Sequence, residues 1–179
     1  MVDVLITEKN NFDIIGTKTW IGGTENEQFG LFWDKNHENG NIEMLKKYNM
    51  DVKYTETNSS IIGLSCTEKN PFIREFWFFI GVETNENSNN KIFEKYRINA
   101  YKWAIFKNNG NDFNALMECE MYAWKYWHLE KSKYIHDNGP EMEVYFNENK
   151  IEYWLPIKEI KNTQEWNDNI NKIRSMFTG

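Results

Sequence analysis

The stretch that most limits the fold is residues 139–158, GPEMEVYFNENKIEYWLPIK, two short alternating runs on either side of Asn147-Glu148-Asn149. That pattern predicts a β-hairpin. Side chains alternate across a strand, so Glu141, Glu143, Tyr145 and Asn147 share one face, and Met142, Val144 and Phe146 share the other. In the second run Tyr153, Leu155 and Ile157 point one way, and Trp154 and Pro156 the opposite way. Neither face is a plain solvent face. A carboxylate set among rings predicts a pocket or an interface.

Upstream, the same order of elements occurs twice. Residues 12–20 read as a strand closed by Gly22-Gly23, and Thr24 to Glu27 matches a capping box. The helix expected next carries Phe29, Phe32 and Trp33 on one side. Asn39-Gly40 interrupts it, 42–48 continues as a second helical piece, and 51–59 is polar loop or frayed strand. Residues 60–67 and 73–84 are β-type runs that should pair about Lys69-Asn70-Pro71. The second, IREFWFFIGVET, is too apolar for a wet face and reads as a central strand covered on both sides.

The run NENSNN at 85–90 reads as a linker, after which the pattern restarts. Strand material lies within 94–106, Asn109-Gly110-Asn111 turns the chain, and Asp112 caps a helix over 113–130. Asn138-Gly139-Pro140 then breaks into the hairpin. The expected fold is α+β, built from two β-α-β-β units related by a pseudo-twofold axis, with a cleft between two main helices and the joined sheet. Such internal clefts are common small-molecule sites. One domain is expected over 1–160, with halves at about 10–84 and 92–158. Residues 161–179 form a C-terminal helical appendix whose stripe of Trp166, Ile170, Ile173 and Phe177 should pack on its own domain.

Composition narrows the function classes. At 179 residues the chain is long enough to bury a core without disulfides, and Cys66 and Cys119 point to a reducing, cytoplasmic setting. A net charge of -6 with no Lys/Arg cluster argues against direct nucleic-acid contact. No apolar run approaches a membrane span, and the amino terminus is too polar for a signal peptide. His37, His128 and His136 lack metal-ligand spacing. Without a phosphate loop, a nucleophile elbow or a redox C-x-x-C, no cofactor is implied.

Two carboxylates stand out. Glu143 shares a strand face with Tyr145. Glu120 sits inside the apolar stripe of Phe113, Leu116, Met117, Ala123, Trp124 and Trp127, where a charge needs a cavity, a shifted pKa or a partner such as Arg97. The aromatic share of 16% fits an aromatic core as well as a ring-lined cavity. Trp33, Trp77, Trp103, Trp124, Trp127 and Trp154 are the candidate wall rings.

Taken in order, Ile80-Gly81-Val82-Glu83, the strand over 101–106 ending before Gly110, Glu143-Val144-Tyr145 and Trp154-Leu155-Pro156-Ile157 resemble the bacterial effector-binding domain, the gyrase-inhibitor-like or AraC-type effector-binding family. The likeness covers about residues 10–160. It implies a curved, mostly antiparallel sheet with a central ligand groove, and a stand-alone sensor without a DNA-binding region. It also implies that Glu143 is the acidic residue at the bottom of an aromatic pocket for lipophilic cations, with Tyr145 beside it. Where many members carry a Tyr three residues before the Gly of the I-G-V-E run, this chain has Phe78. The expected ligand set is therefore Glu143, Tyr145, Trp33, Trp77, Phe78, Trp103, Glu120, Trp124 and Trp154, with no metal.

The leading expectation is a small-molecule binding protein for lipophilic, cationic compounds, acting as a sensor or a sequestering module. It would be a monomer or weak homodimer, able to signal through a regulatory protein partner. The alternatives are a hydrolase of small electrophilic compounds using Glu143 and Tyr145, and a protein-binding inhibitor like the gyrase inhibitors.

Overall fold

A computed structural model describes residues 1–49, 60–68, 72–85, 91–128, 133–146 and 149–178. The expected loop at 51–59, most of the linker at 85–90, the turn at 69–71 and part of the closing turn at 147–149 lie outside the described residues.

The strands are β1 (Asp3–Lys9), β2 (Phe12–Gly22), β3 (Ser60–Ser65), β4 (Glu75–Thr84), β5 (Glu94–Ile98), β6 (Tyr101–Asn109), β7 (Tyr134–His136), β8 (Glu141–Phe146) and β9 (Lys150–Glu159). They form one antiparallel sheet in the order β1-β6-β9-β8-β3-β4-β2-β5, with β7 pairing the end of β9. The expected hairpins β3–β4 and β8–β9 are both present. They meet at the centre, where β3 pairs with β8.

This order has a physical consequence. Only Asn10 and Asn11 separate β1 from β2, a reach of at most about 11 Å. In a flat sheet those strands would be six spacings, roughly 29 Å, apart. The sheet must therefore curl until its edges approach, and Lys9 on β1 does reach Glu83 on β4 at 3.2 Å. Within the curl a close-packed core forms from Ile14, Ile62, Leu64, Phe79, Trp103 and Trp154, among others.

The halves are β2-helix-β3-β4 and β6-helix-β8-β9, mirrored about the β3–β8 seam. Each also has a leading strand that sequence reading did not separate. β1 precedes the first half but pairs with β6 of the second, and β5 precedes the second but pairs with β2 of the first. The halves are thus laced together at both edges. Gly16 and Gly81 face each other across β2–β4, where a Cβ on Gly16 would lie 2.1 Å from the Ile80 carbonyl oxygen.

Helices α1 (Glu27–Glu38) and α2 (Asn41–Asn49) cover the first half, with Phe29, Phe32 and Trp33 packing toward Phe78 and Ile80. Asn26 occupies the α1 N-cap and its side chain makes no capping hydrogen bond to the helix, so the expected capping box at Thr24 does not form. Gln28 ties this corner instead, donating from Nε2 to the Gly22 and Glu25 carbonyls. Helix α3 (Phe113–Met121) covers the second half and begins as expected, the Ala115 N–H donating to Asp112 Oδ1 at 2.9 Å. It continues through π-helical turns over Tyr122–Trp127, whose wider spacing brings Ala123, Trp124 and Trp127 inward together. Phe113, placed by periodicity in the apolar stripe, is exposed, and buried Cys119 takes a place in that stripe.

The C-terminal helix α4 (Thr163–Thr178) buries Ile170 and Ile173 in the α3 core, as expected, while Phe177 stays exposed. Among the described residues no helix is long and apolar enough to cross a membrane.

Candidate functional site

The seam between the halves carries the chemistry. Gly63 of β3 lies opposite Glu143 of β8, and Glu143 lies opposite Tyr153 of β9. Alternation turns Glu141, Glu143 and Tyr145 toward the helices. Gly63 leaves the room that the carboxylate needs: a Cβ there would fall 2.9 Å from Glu143 Oε2 and 3.0 Å from Phe78 Cζ.

Two phenol–carboxylate pairs sit side by side. Tyr145 Oη donates to Glu143 Oε2 at 2.6 Å, and Tyr153 Oη donates to Glu141 Oε2 at 2.5 Å. Tyr153 Oη in turn accepts from Trp124 Nε1 at 3.0 Å, which ties the pair to the π-helical turns. His136 Nε2 stands 3.3 Å from Glu141 Oε1, and the His136 ring stacks on Trp124. On the opposite side Trp33 of α1 meets Tyr145 edge to face, with ring centroids 5.2 Å apart. Glu120 reaches the same cluster from α3, where its charge acts on Tyr145 and Tyr153.

Burial and like charge shape this cluster. Burial pushes the Glu143 carboxyl up to about 7, the Tyr145 hydrogen bond opposes that rise, and Glu141 adds to it. Glu120 is pushed to about 8 by burial and by Glu143 and Glu141, with Arg74 opposing. The Tyr145 and Tyr153 hydroxyls are held above the ordinary phenol range, first by burial and then by the neighbouring carboxylates. Glu143 and Glu120, both with raised carboxyls, stand beside Glu141 under a wall of rings, so a positive charge entering here can displace the protons of the first two.

The fold brings together Glu143, Tyr145, Glu120, Trp33, Phe78 and Trp124 from the expected set. It does not bring Trp77, Trp103 or Trp154 to them. Trp103 and Trp154 fill the core inside the curl, and Trp77 is 43% exposed against Trp20. Strand parity is the reason, since Trp77 and Trp154 are chain neighbours of Phe78 and Tyr153, which face the helices. Trp127 packs on Phe106 in the α3 core. Arg97, considered as a partner for Glu120, pairs with Asp13 instead.

Glu141, which alternation placed on the face of Glu143 and Tyr145, has a side chain only 18% exposed and belongs to the cluster. Tyr153, His136 and Arg74 were not among the sequence candidates. For Tyr153 the missing information was the β8–β9 register, because only pairing makes it the neighbour of Glu143.

The family model for integron-associated effector binding proteins matches residues 5–157. Among solved structures, the chain resembles SAV2435 bound to tetraphenylphosphonium at 16% identity, over 87% of this chain and 94% of that one, with a TM-score of 0.70. It resembles an integron cassette protein from the mobile metagenome of Vibrio cholerae at 18% identity, over 87% and 95%, with a TM-score of 0.61. The C-terminal domain of EcmrR matches at 12% identity over 89% and 99%, with a TM-score of 0.56. At these identities the structural likeness is one of fold. No curated protein sequence matches the chain.

Proposed function

The chain belongs to the integron-associated effector binding proteins, and from that premise we propose that its carboxylate cluster is the floor of a binding site for a lipophilic organic cation. The observation that carries this reading is the convergence of Glu120, Glu141 and Glu143 beneath Trp33, Tyr145 and Trp124. A delocalised cation stacked on rings gains from their negative faces and offsets the cost of holding carboxylates away from water. The tetraphenylphosphonium bound to SAV2435 is a ligand of that class, and it supports choosing the same probe here. The protein would work as a sensor or a sequestering module, cytoplasmic and without direct nucleic-acid contact.

The test is a titration of intrinsic Trp emission with tetraphenylphosphonium and, in parallel, with a neutral compound of similar shape. Saturable quenching by the cation at much lower concentration than by the neutral compound supports the reading. Equal or absent responses contradict it.

One observation favours a second reading, a hydrolase of small electrophilic compounds. A carboxyl titrating near 7 and hydrogen-bonded to a phenol at 2.6 Å suits a general base. Loss of turnover in Glu143→Gln with ligand binding retained would favour it over binding alone.

A further inference from the structure

Residues Phe72, Ile73 and Arg74 lie just before β4 and touch both walls of the carboxylate cluster. Phe72 packs on Trp124 and His136 of the second half, with ring centroids 6.3 and 6.4 Å away, and Lys172 of α4 lies over its ring. Two residues on, Arg74 turns to the first half. Its Nη1 donates to Asn26 Oδ1 at 2.6 Å at the start of α1, and its guanidinium lies 5.6 Å over the Phe29 ring. Phe29 packs edge to face on Phe78, whose tip shares the Gly63 gap with Glu143. The segment is thus a strap between the two helical layers, with a cation at one end.

The charges here do not balance. Among the described residues, the charges of Glu143 and Glu141 repel the negative form of Glu120 and that of Arg74 attracts it. Arg74 makes no ion pair with any carboxylate among the described residues within contact distance, and its Nη2 is shut off from solvent without a hydrogen-bond partner there. A guanidinium tied by one nitrogen, idle at another and directed by field rather than contact is an incomplete counter-ion.

Resting on the cation-site reading above, we infer that Arg74 is the resident counter-cation of the cluster and a specificity-determining residue, because a ligand's positive charge must compete with it. Its field lowers the local negative potential that an incoming cation meets. It therefore favours ligands whose charge is large or deeply seated over weakly held monocations. Tethering through Asn26 keeps the guanidinium from swinging out to water, so the competition is permanent rather than occasional.

The experiment compares dissociation constants of tetraphenylphosphonium for wild type, Arg74→Met and Arg74→Lys by Trp emission, with the neutral analogue as control. Removing one positive charge whose field reaches a partly screened site should tighten cation binding about tenfold. Arg74→Lys should stay within about twofold of wild type, and the neutral compound should bind all three alike. Unchanged or weaker cation binding in Arg74→Met overturns the inference while leaving the cation site standing whenever wild type binds. Binding by Arg74→Met alone supports the inference, and binding by neither overturns both readings. If Arg74→Met does not fold, Asn26→Ala cuts only the 2.6 Å tether and should give a smaller gain, and no gain there overturns the inference.

Discussion

Tyr145 Oη lies 2.6 Å from Glu143 Oε2, donor and acceptor two residues apart on one face of β8. The bond stabilises the ionised carboxylate against burial, which drives the carboxyl the other way. Tyr145→Phe removes that support while keeping the ring against Trp33. The Glu143 carboxyl should then titrate higher, and tetraphenylphosphonium should bind about three- to tenfold more weakly at pH 7. Binding measured as a function of pH in both proteins checks this.

Protonation links the site to stability. Glu143 and Glu120 titrate at about 7 and about 8 in the fold, above the ordinary carboxylate value of 4.5. The folded chain therefore holds more protons than the unfolded one across that window, and stability falls as pH rises. The contribution of these two groups is fully present below pH 4.5 and is lost as pH climbs through 7 and 8. Denaturant midpoints of the ligand-free protein should decline between pH 5 and pH 8.5, and the double variant Glu120→Gln/Glu143→Gln should flatten the decline. Cation affinity should run the opposite way, rising over the same window.

Two glycines should respond differently to Ala. At Gly63 the new methyl meets only side-chain ends, Glu143 Oε2 and Phe78 Cζ, which can shift. Gly63→Ala should fold with a loss of roughly 1–2 kcal/mol and bind the cation poorly, because the carboxylate is displaced. At Gly16 the methyl meets backbone, the Ile80 carbonyl and the Gly81 Cα, across β2–β4. Gly16→Ala should cost roughly 3 kcal/mol or more. Urea unfolding compares the two.

Tyr153→Phe removes one hydroxyl that serves two partners. Trp124 Nε1 loses its acceptor in buried surroundings, and Glu141 loses its donor in partly buried ones. A cost of about 2 kcal/mol is expected from the stranded indole N–H. A blue shift in Trp emission should accompany it if Trp124 reports this bond.

Much of this arrangement was legible locally. Alternation alone put Glu143 and Tyr145 on one face, and the same rule applied to Glu141 admits it to the cluster. Asp112 announced the start of α3 through its side-chain chemistry. The pairing of β1 with β6 and of β5 with β2 left no local trace, because it depends on the whole sheet curling. The ring assignments failed to converge for a related reason. Adjacent residues such as Trp77 and Phe78 cannot face the same side of the sheet, and which of each pair meets the carboxylates depends on the register across four strands. Arg74 escaped notice because its importance lies in a strap between layers, not in any motif.

In the proposed site the seam carboxylates balance the charge of a bound organic cation. Calorimetric titration of tetraphenylphosphonium into wild type and Glu143→Gln at pH 8 tests it most directly. Binding should weaken roughly 10- to 100-fold in the variant, with the neutral analogue unaffected. Equal affinity of the two proteins for the cation would contradict it.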